Sequence, residues 1–324
     1  MQTDHEILAI PDGIQDGTPI GGVAYAHNIE SRTTRTGKPF VTGNVVTPDG
    51  TWPFRQWDTE SLDPGVYRIN GKWNVYNGSG SIVIDRLEPA QGYHATDFFP
   101  TRYDAADLRE RVNLLLKQNV TPKGIQLFNL LVNGDAASDV PSLAQGFTHE
   151  FAAIWHHDNV PLGLLAHSYK TCLIATRILE DPLRSFHEYS QDWKDVVIVG
   201  ALLHDLGKAL EYRDGEMSPL GQYLSHRTLM VMRAEQLKDR IMALYGDLYY
   251  DLVSIFAQHH GPYEETPRTL AAVLVHLADD MDAKLTSLDE AISDATGPVV
   301  KALDFKITPG HTQDVPDTIG DGKD

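Results

Sequence analysis

Cysteine, basic residues and long apolar runs are all scarce in this chain of 324 residues. Its single cysteine, Cys172, excludes an internal disulfide and a metal site built from several thiolates, and it fits a reducing compartment. No stretch approaches the ~18 consecutive apolar residues that a membrane-spanning helix needs. The segment MQTDHEILAIPDG carries acids where a secretion signal carries bases followed by an apolar run. We therefore expect a cytoplasmic protein that does not contact a membrane.

The shortage of positive charge limits how the chain can meet nucleic acid. It has 27 Lys and Arg against 45 Asp and Glu, a net charge of -18, which argues against coating a polyanion through bulk electrostatics. The shortage is uneven, because residues 16–92 carry seven basic against eight acidic side chains, a net charge of -1. This N-terminal region is the part of the chain that repels a polyanion least.

Residues 16–95 alternate short β-type runs with turn signals. The runs are separated by RTGK, PDG, DPG and NGSG, which are clusters suited to tight turns. Five short strands in so few residues favour a small closed barrel, and an OB-fold is the best match in size. The 324 residues suffice for two cores, so the predicted fold class is multidomain α+β: an OB-fold-like β-barrel followed by an all-α domain.

Bases and aromatics interleave along the predicted barrel and could follow a single strand of nucleic acid. Arg55 and Trp57 are the contacts that we select. The alternative is that such aromatics fill the core of a small barrel. The full set is Arg32, Arg35, Lys38, Trp52, Phe54, Arg55, Trp57, Lys72 and Trp73.

The remaining segments divide into a tail at each end and two helical regions. Residues 1–15 are predicted as an N-terminal tail, and residues 298–324, rich in Gly, Pro and Asp, as a flexible acidic tail. A helical connector is predicted over 96–146, with Asp104 capping its first helix and Pro122 opening its second. The all-α domain covers 147–297, with helices predicted over 163–180, 193–206, 220–241, 247–258 and 268–289.

The segment Val196 to Lys208, VVIVGALLHDLGK, ends an apolar run abruptly in three polar side chains. A buried helix that delivers imidazole, carboxylate and ammonium together indicates that it holds a charged group. The doublet His204–Asp205 is weak evidence alone, since His157–Asp158 is a second such pair. Its significance comes from the histidines and the carboxylate that accompany it along the chain.

Five histidines and two carboxylates lie in or at the ends of otherwise apolar helices. A lone histidine on an apolar face is more often a hydrogen-bonded core residue than a ligand. Five of them together favour a shared metal site, because each buried imidazole would otherwise need a partner of its own. The set is His167, His204, Asp205, His226, His259, His260 and Asp279.

The order H, HD, H, HH, D, with GK after the doublet, resembles the metal-dependent HD phosphohydrolase superfamily in its two-metal version. The chain is most similar to the YhaM-type 3'-to-5' exoribonuclease branch, in which an OB-fold precedes an HD domain. The barrel segments GKPFVTGNVVTPDGTWPFRQWD and PGVYRINGKWNVYNGSGSIVI, the lead-in HHDNVPLGLLAHSYKT and the closing motif ADDMDAKL carry this resemblance.

The resemblance implies a role for each candidate. His167, His204, Asp205 and Asp279 would hold one metal, and Asp205 would bridge to a second. The second metal would be held by His226, His259 and His260. Asp282, on the same helical face as Asp279, is the reserve ligand. The lead-in supplies His157 as a substrate contact.

The ligand types indicate the ions and the chemistry. Imidazoles and carboxylates without thiolate suit Mn, which is our first expectation, and also Fe, Co, Ni or Zn. Two such divalent ions about 4 Å apart can share a hydroxide that is nucleophilic at neutral pH, so no protein nucleophile is needed. Asp205 and Lys208 are the predicted catalytic residues, with Lys208 on a phosphate oxygen. Arg227 and Lys284 are further phosphate contacts. All three bases could instead be surface residues.

Three functions fit this pattern. The leading one is a 3'-to-5' exonuclease that hydrolyses single-stranded RNA to mononucleotides, with DNA and a homo-oligomeric state left open. The rival is a phosphohydrolase of small nucleotides, such as a cyclic nucleotide or a nucleoside phosphate, with the barrel as an interaction module. The third is a non-catalytic module with a degenerate HD core, which the filled ligand positions disfavour.

Overall fold

The computed structural model describes residues 7–11, 13–76, 79–99, 101–153, 160–180, 188–213, 216–261, 264–293 and 299–308. Five strands come first: β1 Pro19–Thr33, β2 Pro39–Thr47, β3 Gly50–Trp57, β4 Gly65–Tyr76 and β5 Ser79–Pro89. Ten helices then dominate the described residues: α1 Ala105–Asn119, α2 Pro122–Asn133, α3 Ala144–His149, α4 Gly163–Glu180, α5 Gln191–Leu203, α6 Lys208–Glu211, α7 His226–Gln236, α8 Lys238–Tyr245, α9 Leu248–Gln258 and α10 Leu270–Ser293. Two short hairpins complete the order: β6 Tyr212–Arg213 with β7 Glu216–Met217, and β8 Val300–Ala302 with β9 Phe305–Ile307.

The first five strands close into a barrel, which confirms the predicted fold class. Their order around the barrel is β1-β2-β3-β5-β4, and β1 pairs with both β2 and β4 to close it. Among these five strands, β3 and β5 pair in parallel, with Phe54 opposite Ile82, and the other pairs are antiparallel. A five-stranded barrel of this kind is the architecture expected of an OB-fold.

Part of the predicted N-terminal tail belongs to the barrel. The N–H of Leu8 donates to the carbonyl of Val23 at 2.8 Å, and the N–H of Ile10 donates to Asp49 at 3.1 Å. Leu8 and Ile10 are buried in the barrel core. Their apolar side chains explain why residues 7–11 pack on the barrel instead of extending into solvent.

A short 3₁₀ turn, Ala95–Phe98, fastens the barrel to the helices. Phe98 is fully buried in a cluster with Val23 of the barrel. The neighbouring Phe99 meets Phe151 of the helical region, with ring centroids 5.0 Å apart. The predicted boundary at residues 95 and 96 therefore falls inside a turn that packs against both regions.

The predicted helical connector is part of the helical core. Asp104 caps α1 by accepting from the N–H of Asp107, and Pro122 stands at the first position of α2, as the sequence predicts. Buried residues of α1 and α2 share one hydrophobic cluster with α4, α5, α9 and α10. No helix among the described residues has the length and apolarity to span a membrane.

Two predictions about the helical region need correction. The helix predicted over 220–241 starts only at His226, because Ser225 caps α7 by accepting from the N–H of Thr228, and Leu237 separates α7 from α8. The region predicted as all-α contains the β6–β7 hairpin, and the β8–β9 hairpin lies in the predicted tail, where β8 contacts α10. Residues 309–324 of that tail lie outside the described residues.

Candidate metal centre

The turn after α5 carries the first part of the site. Every residue from Asp195 to Leu203 is buried, and the helix ends at Leu203. His204 and Asp205 follow in the turn that leads to α6, with 0% and 1% of their surfaces exposed. Burying an imidazole and a carboxylate is costly unless both are paired. Their partners come from five other helical segments.

Gly207 lets α7 approach this turn. A Cβ at position 207 would lie 2.1 Å from the carbonyl oxygen of His226, so a side chain does not fit there. His226 is the first residue of α7. Its Nε2 lies 3.3 Å from Oδ1 of Asp205. The glycine of the HDLGK sequence thus helps to position a candidate ligand that comes 22 residues after His204 in the chain.

The carboxylate of Asp205 meets a different pair of imidazoles at each oxygen. Oδ1 lies 3.3 Å from Nε2 of His226 and 3.4 Å from Nε2 of His259. Oδ2 lies 3.5 Å from Nε2 of His167 and 3.4 Å from Nε2 of His204. Asp205 is therefore shared by two clusters of potential ligands.

His260 and Asp279 complete the two clusters. The first cluster is His167, His204, Asp205 and Asp279, and the second is Asp205, His226, His259 and His260. His260 offers a ligand atom that lies within 4.8 Å of those of Asp205, His226 and His259. Oδ1 of Asp279 lies 3.0 Å from Nε2 of His167 on the other side. The structure thus brings together all seven residues that the sequence assigns to metal binding, in the two sets that the resemblance implies.

Asp282 lies behind the first cluster instead of within it. Its Oδ2 is 2.7 Å from Nδ1 of His167, on the opposite edge of the ring from the atom that faces Asp279. Asp279 and Asp282 share a face of α10, but only Asp279 contacts Nε2 of His167, which is the ring nitrogen that also faces Asp205. This arrangement favours Asp279 as a ligand and makes Asp282 the support of His167.

All five histidines use Nδ1 for a bond directed away from the centre. A carboxylate or a carbonyl can only accept, so Nδ1 carries the proton and Nε2 presents its lone pair inwards. Sequence reasoning missed Glu211 and Glu264, because nothing in their spacing shows which ring they contact. The pairs are His167 with Asp282, His204 with the carbonyl of Ala201, His226 with Glu211, His259 with the carbonyl of Ile255, and His260 with Glu264.

A cation fits this arrangement. Three buried atoms of the candidate ligands have no hydrogen-bond partner among the described residues: Oδ1 of Asp205 and Nε2 of His226 and His259. Both nitrogens lie within 3.4 Å of that oxygen, and none of the three atoms carries a proton in the tautomers set by the Nδ1 bonds. Converging lone pairs without a proton between them are stabilised by a positive ion.

The charges of the first cluster reinforce one another. Burial favours the neutral form of Asp205, but Lys208 and His204 outweigh it and hold the pKa of that carboxyl well below its usual range. Burial likewise favours neutral His204, yet Asp205 and Asp279 raise its pKa to about 10. Without metal, protons thus take the positions that a cation would take, and metal binding would release them.

The second cluster behaves in the opposite way. Burial lowers the pKa of His259 to about 4. His204 and His226 lower this pKa further, and Asp205 raises it by less than the others lower it. Burial and His259 together lower the pKa of His260 to about 3. Both imidazoles are neutral at pH 7 and have lone pairs available for a metal ion.

A cavity of about 340 Å³ opens onto the centre. Lys208 lines it, and its ammonium lies 2.5 Å from Oδ2 of Asp205. Its remaining lining residues are Ala153, His167, Asp205, Tyr212, His226, His260, Glu264, His276, Asp279, Asp280 and Ala283. The arrangement combines a cation-binding centre, a buried ammonium and space for one small group.

Two predicted phosphate contacts do not line this cavity. The guanidinium of Arg227 donates to the carbonyl of Ala257 and pairs with Glu264, so it supports the partner of His260. Lys284 is exposed and pairs with Asp280 one turn away. His157 lies outside the described residues.

The predicted nucleic-acid contacts of the barrel fall into a buried group and an outward-facing group. Phe54 and Trp73 are buried in the barrel core, where Trp73 packs edge-on against Trp52. Arg55 and Trp57 point outwards instead, with the guanidinium 5.3 Å from the centre of the Trp57 ring and 45% of Trp57 exposed. Alternation along β3 explains the split, because successive side chains lie on opposite faces of a strand.

Comparison with known proteins agrees with this architecture. Residues 164–284 match the family model of the HD domain, which confirms the HD domain predicted from the sequence. The matched range contains every residue of both clusters. An HD domain implies a divalent metal ion, and the clusters are able to hold one.

The chain is also similar over most of its length to curated bacterial proteins named 3'-5' exoribonuclease YhaM. The Bacillus velezensis protein is 24% identical over 276 residues, which cover 79% of this chain and 82% of that protein. The Listeria monocytogenes protein is 23% identical over 281 residues, 80% of this chain and 83% of its own length. The Shouchella clausii protein is 24% identical over 293 residues, 85% and 87% of the two chains.

Proposed function

We propose that this chain, a metal-dependent hydrolase with an HD domain, is a 3'-to-5' exonuclease that converts single-stranded RNA to mononucleotides. The observation that carries the proposal is the Asp205 carboxylate, whose two oxygens face two separate pairs of imidazoles. A carboxylate placed in this way is suited to joining two cations. Two divalent ions, with manganese as our first choice, would supply an activated water and neutralise charge on a phosphoryl oxygen.

Lys208 and Asp205 form the proposed catalytic pair. Lys208 is 9% exposed and lines the cavity, so its ammonium is held at the place where a phosphate group would enter. Asp205 fixes this ammonium at 2.5 Å. A preorganised cation needs little reorganisation as charge moves to a phosphate oxygen, which is the condition for electrostatic stabilisation of a transition state.

The relatives and the barrel together support RNA as the substrate. The relatives carry the name 3'-5' exoribonuclease, and their similarity extends across barrel and helices alike. The barrel exposes Trp57 beside Arg55, with its ring tilted against that of Phe40 and the ring centroids 4.9 Å apart. An aromatic face with an adjacent guanidinium suits single-stranded bases and phosphates. The cytoplasm is the proposed location, in line with the single reduced cysteine.

A time course with 5'-labelled 20-mers of RNA and DNA tests the function. With Mn²⁺ present, we expect the RNA to shorten from its 3' end as a ladder, and the DNA arm measures the sugar preference. Asp205→Asn, which keeps the shape of the side chain but removes its charge, should abolish the ladder and reduce bound metal. Intact RNA together with hydrolysis of a cyclic nucleotide would overturn the proposal in favour of a small-nucleotide phosphohydrolase.

Self-association is part of the proposal, because α10 exposes an apolar stripe. Leu277, Met281 and Leu285 follow one another at four-residue spacing, and each has about half of its surface exposed. Residues four apart share a face of a helix. Light scattering on the purified protein would measure the subunit number, and a monomer at every concentration would remove this part of the proposal.

A further inference from the structure

Three neighbouring cavities lead from the metal centre to the barrel. The second, of about 460 Å³, meets the cavity of the metal centre at Tyr212, which lines both. The third, of about 250 Å³, shares His94 and Arg213 with the second and reaches the barrel wall at Tyr25 and Gly65. We call the second and third cavities together the Tyr212–Arg213 groove.

The β6–β7 hairpin, which the sequence did not reveal, lines part of this groove. It follows α6 directly, so the chain passes from Lys208 in the metal-centre cavity to Tyr212 and Arg213 within five residues. Tyr212 is half-buried and lies where the first two cavities meet. Arg213 is exposed and lies where the second and third meet.

The groove is chemically compatible with a polyanion although the whole chain is acidic. Its charged and imidazole side chains are Arg213, His94, His149 and Glu150, with the two imidazole rings 6.2 Å apart. One guanidinium balances one carboxylate, in contrast to the net charge of -18 for the chain. Tyr212 adds an aromatic ring on which a base can stack.

The groove differs from the barrel surface that the sequence singled out. Arg55 and Trp57 lie on β3, which pairs with β2 and β5. The groove reaches the barrel at Tyr25 of β1 and Gly65 at the start of β4. A strand that leaves the metal centre through the groove therefore meets the barrel at β1 and β4 and not at the exposed face of β3.

We propose that the Tyr212–Arg213 groove binds the nucleotides on the 5' side of the scissile phosphate, with Tyr212 stacking on a base and Arg213 contacting a phosphate. This inference rests on the proposed exonuclease function. The metal-centre cavity has the volume of a site for one small ligand, so the rest of a strand must leave through a neighbouring opening. The groove adjoins this cavity at Tyr212 and the barrel at Tyr25 and Gly65.

The test compares Tyr212→Ala, Tyr212→Phe and Arg213→Ala with two matched controls. Tyr223→Ala and Arg177→Ala replace the same residue types where they are exposed, outside the groove. Two measurements are made on each protein. One is kcat and KM on a 5'-labelled RNA 20-mer at several salt concentrations, and the other is the affinity for a fluorescent ten-residue oligouridylate in EDTA. Circular dichroism checks folding, and Tyr212→Leu replaces Tyr212→Ala if the latter unfolds.

Arg213→Ala should raise KM about fivefold and lower the slope of log KM against log salt concentration by ~0.7, the value for one lost phosphate contact on a single strand. Tyr212→Ala should raise KM about fivefold or more, while Tyr212→Phe keeps the ring and the wild-type KM. The controls should match the wild type.

Unchanged KM and salt slope in both groove variants, with an active wild type, would overturn the groove and leave the proposed function standing. If the wild type binds the oligonucleotide without cutting it, the function fails, and the affinities of the variants still decide the groove. If the wild type neither binds nor cuts RNA, both are overturned.

Discussion

Single residues outside the ligand set hold the imidazoles of this site in place. Glu211 is buried and accepts from Nδ1 of His226 at 2.8 Å, and Asp282 does the same for His167 at 2.7 Å. Each of these bonds fixes the tautomer and the ring angle of a ligand. The metal affinity of the centre should therefore depend on carboxylates that do not touch the ion.

Glu211→Ala should weaken metal binding by about 10- to 100-fold, since His226 loses the acceptor that orients it. Glu211→Gln should recover part of this loss, because its amide oxygen still accepts from Nδ1. Titration calorimetry with Mn²⁺ measures the affinity. Glu235→Gln is the matched control, as Glu235 accepts from Tyr249 in another part of the helical region and should leave the affinity unchanged. Equal affinities for Glu211→Ala and wild type would contradict the orienting role.

Cys172 should be inert in the folded protein. Burial raises the pKa of its thiol to about 12, and the thiol donates to the carbonyl of Ile198. We expect no reaction with a disulfide reagent at pH 8 and complete reaction in guanidinium. The raised pKa favours the protonated thiol in the folded state, so its contribution to stability is full below pH 9 and declines as the pH rises towards 12. Fast labelling of the native protein would contradict the burial of this side chain.

The sequence predicts the ligands better than their supports for a physical reason. Histidines and aspartates at helix ends are conspicuous because they interrupt apolar runs, where a buried polar side chain is costly unless it has a partner. Glu211 and Glu264 resemble surface carboxylates in sequence, since their importance arises only from contacts formed in the folded chain. The reserve ligand Asp282 could not be separated from Asp279 by spacing alone.

Helices and turns are predicted correctly where local sequence determines them and wrongly where it does not. The helix predicted over 163–180, the cap at Asp104 and the helix start at Pro122 agree with the structure, because capping and periodicity are local. The helix predicted over 220–241 begins too early, because apolar spacing continues through the turn before the Ser225 cap and hides the true start at His226. The two-residue strands of the β6–β7 hairpin are too short to leave a periodic signal.

Gly207→Ala tests the approach between the HD turn and α7. The new methyl would lie 2.1 Å from the carbonyl oxygen of His226, so α7 must shift and carry its ligand away. We expect a loss of about 1–3 kcal/mol in unfolding free energy. The variant should also hold less metal, which is the result that we expect for His226→Ala as well. Denaturant unfolding and metal analysis measure the two effects, and wild-type values for both would show that the turn tolerates a side chain.

At the scale of the whole molecule, the metal centre ties distant parts of the chain together. Its proposed ligands come from α4, the turn after α5, α7, the turn after α9 and α10, and they extend from His167 to Asp279. The barrel contributes none of the seven. It is joined to the helices through Phe98 and through Phe99 against Phe151.

Removing metal should lower the thermal stability of the protein. An ion present at 100 times its Kd stabilises the folded state by about 2.7 kcal/mol. For a helical region of this size, that corresponds to a fall of roughly 5–10 °C in Tm after treatment with EDTA. Asp205→Asn should show little further change with EDTA, because it has lost the shared ligand. Scanning calorimetry measures both, and an unchanged wild-type Tm would contradict the binding of metal at this centre.

The position of the barrel in the sequence affects the order in which the protein folds during translation. All five of its strands, and residues 7–11 that pack on it, come from the first 89 residues. The strands therefore have their hydrogen-bonding partners before α1 is synthesised. Domains that are contiguous in sequence can fold during translation, in order from the N-terminus. The helical region must wait, since His167 meets Asp279 only when 112 further residues have been made. The nascent chain would thus carry a finished barrel while its metal ligands are still incomplete.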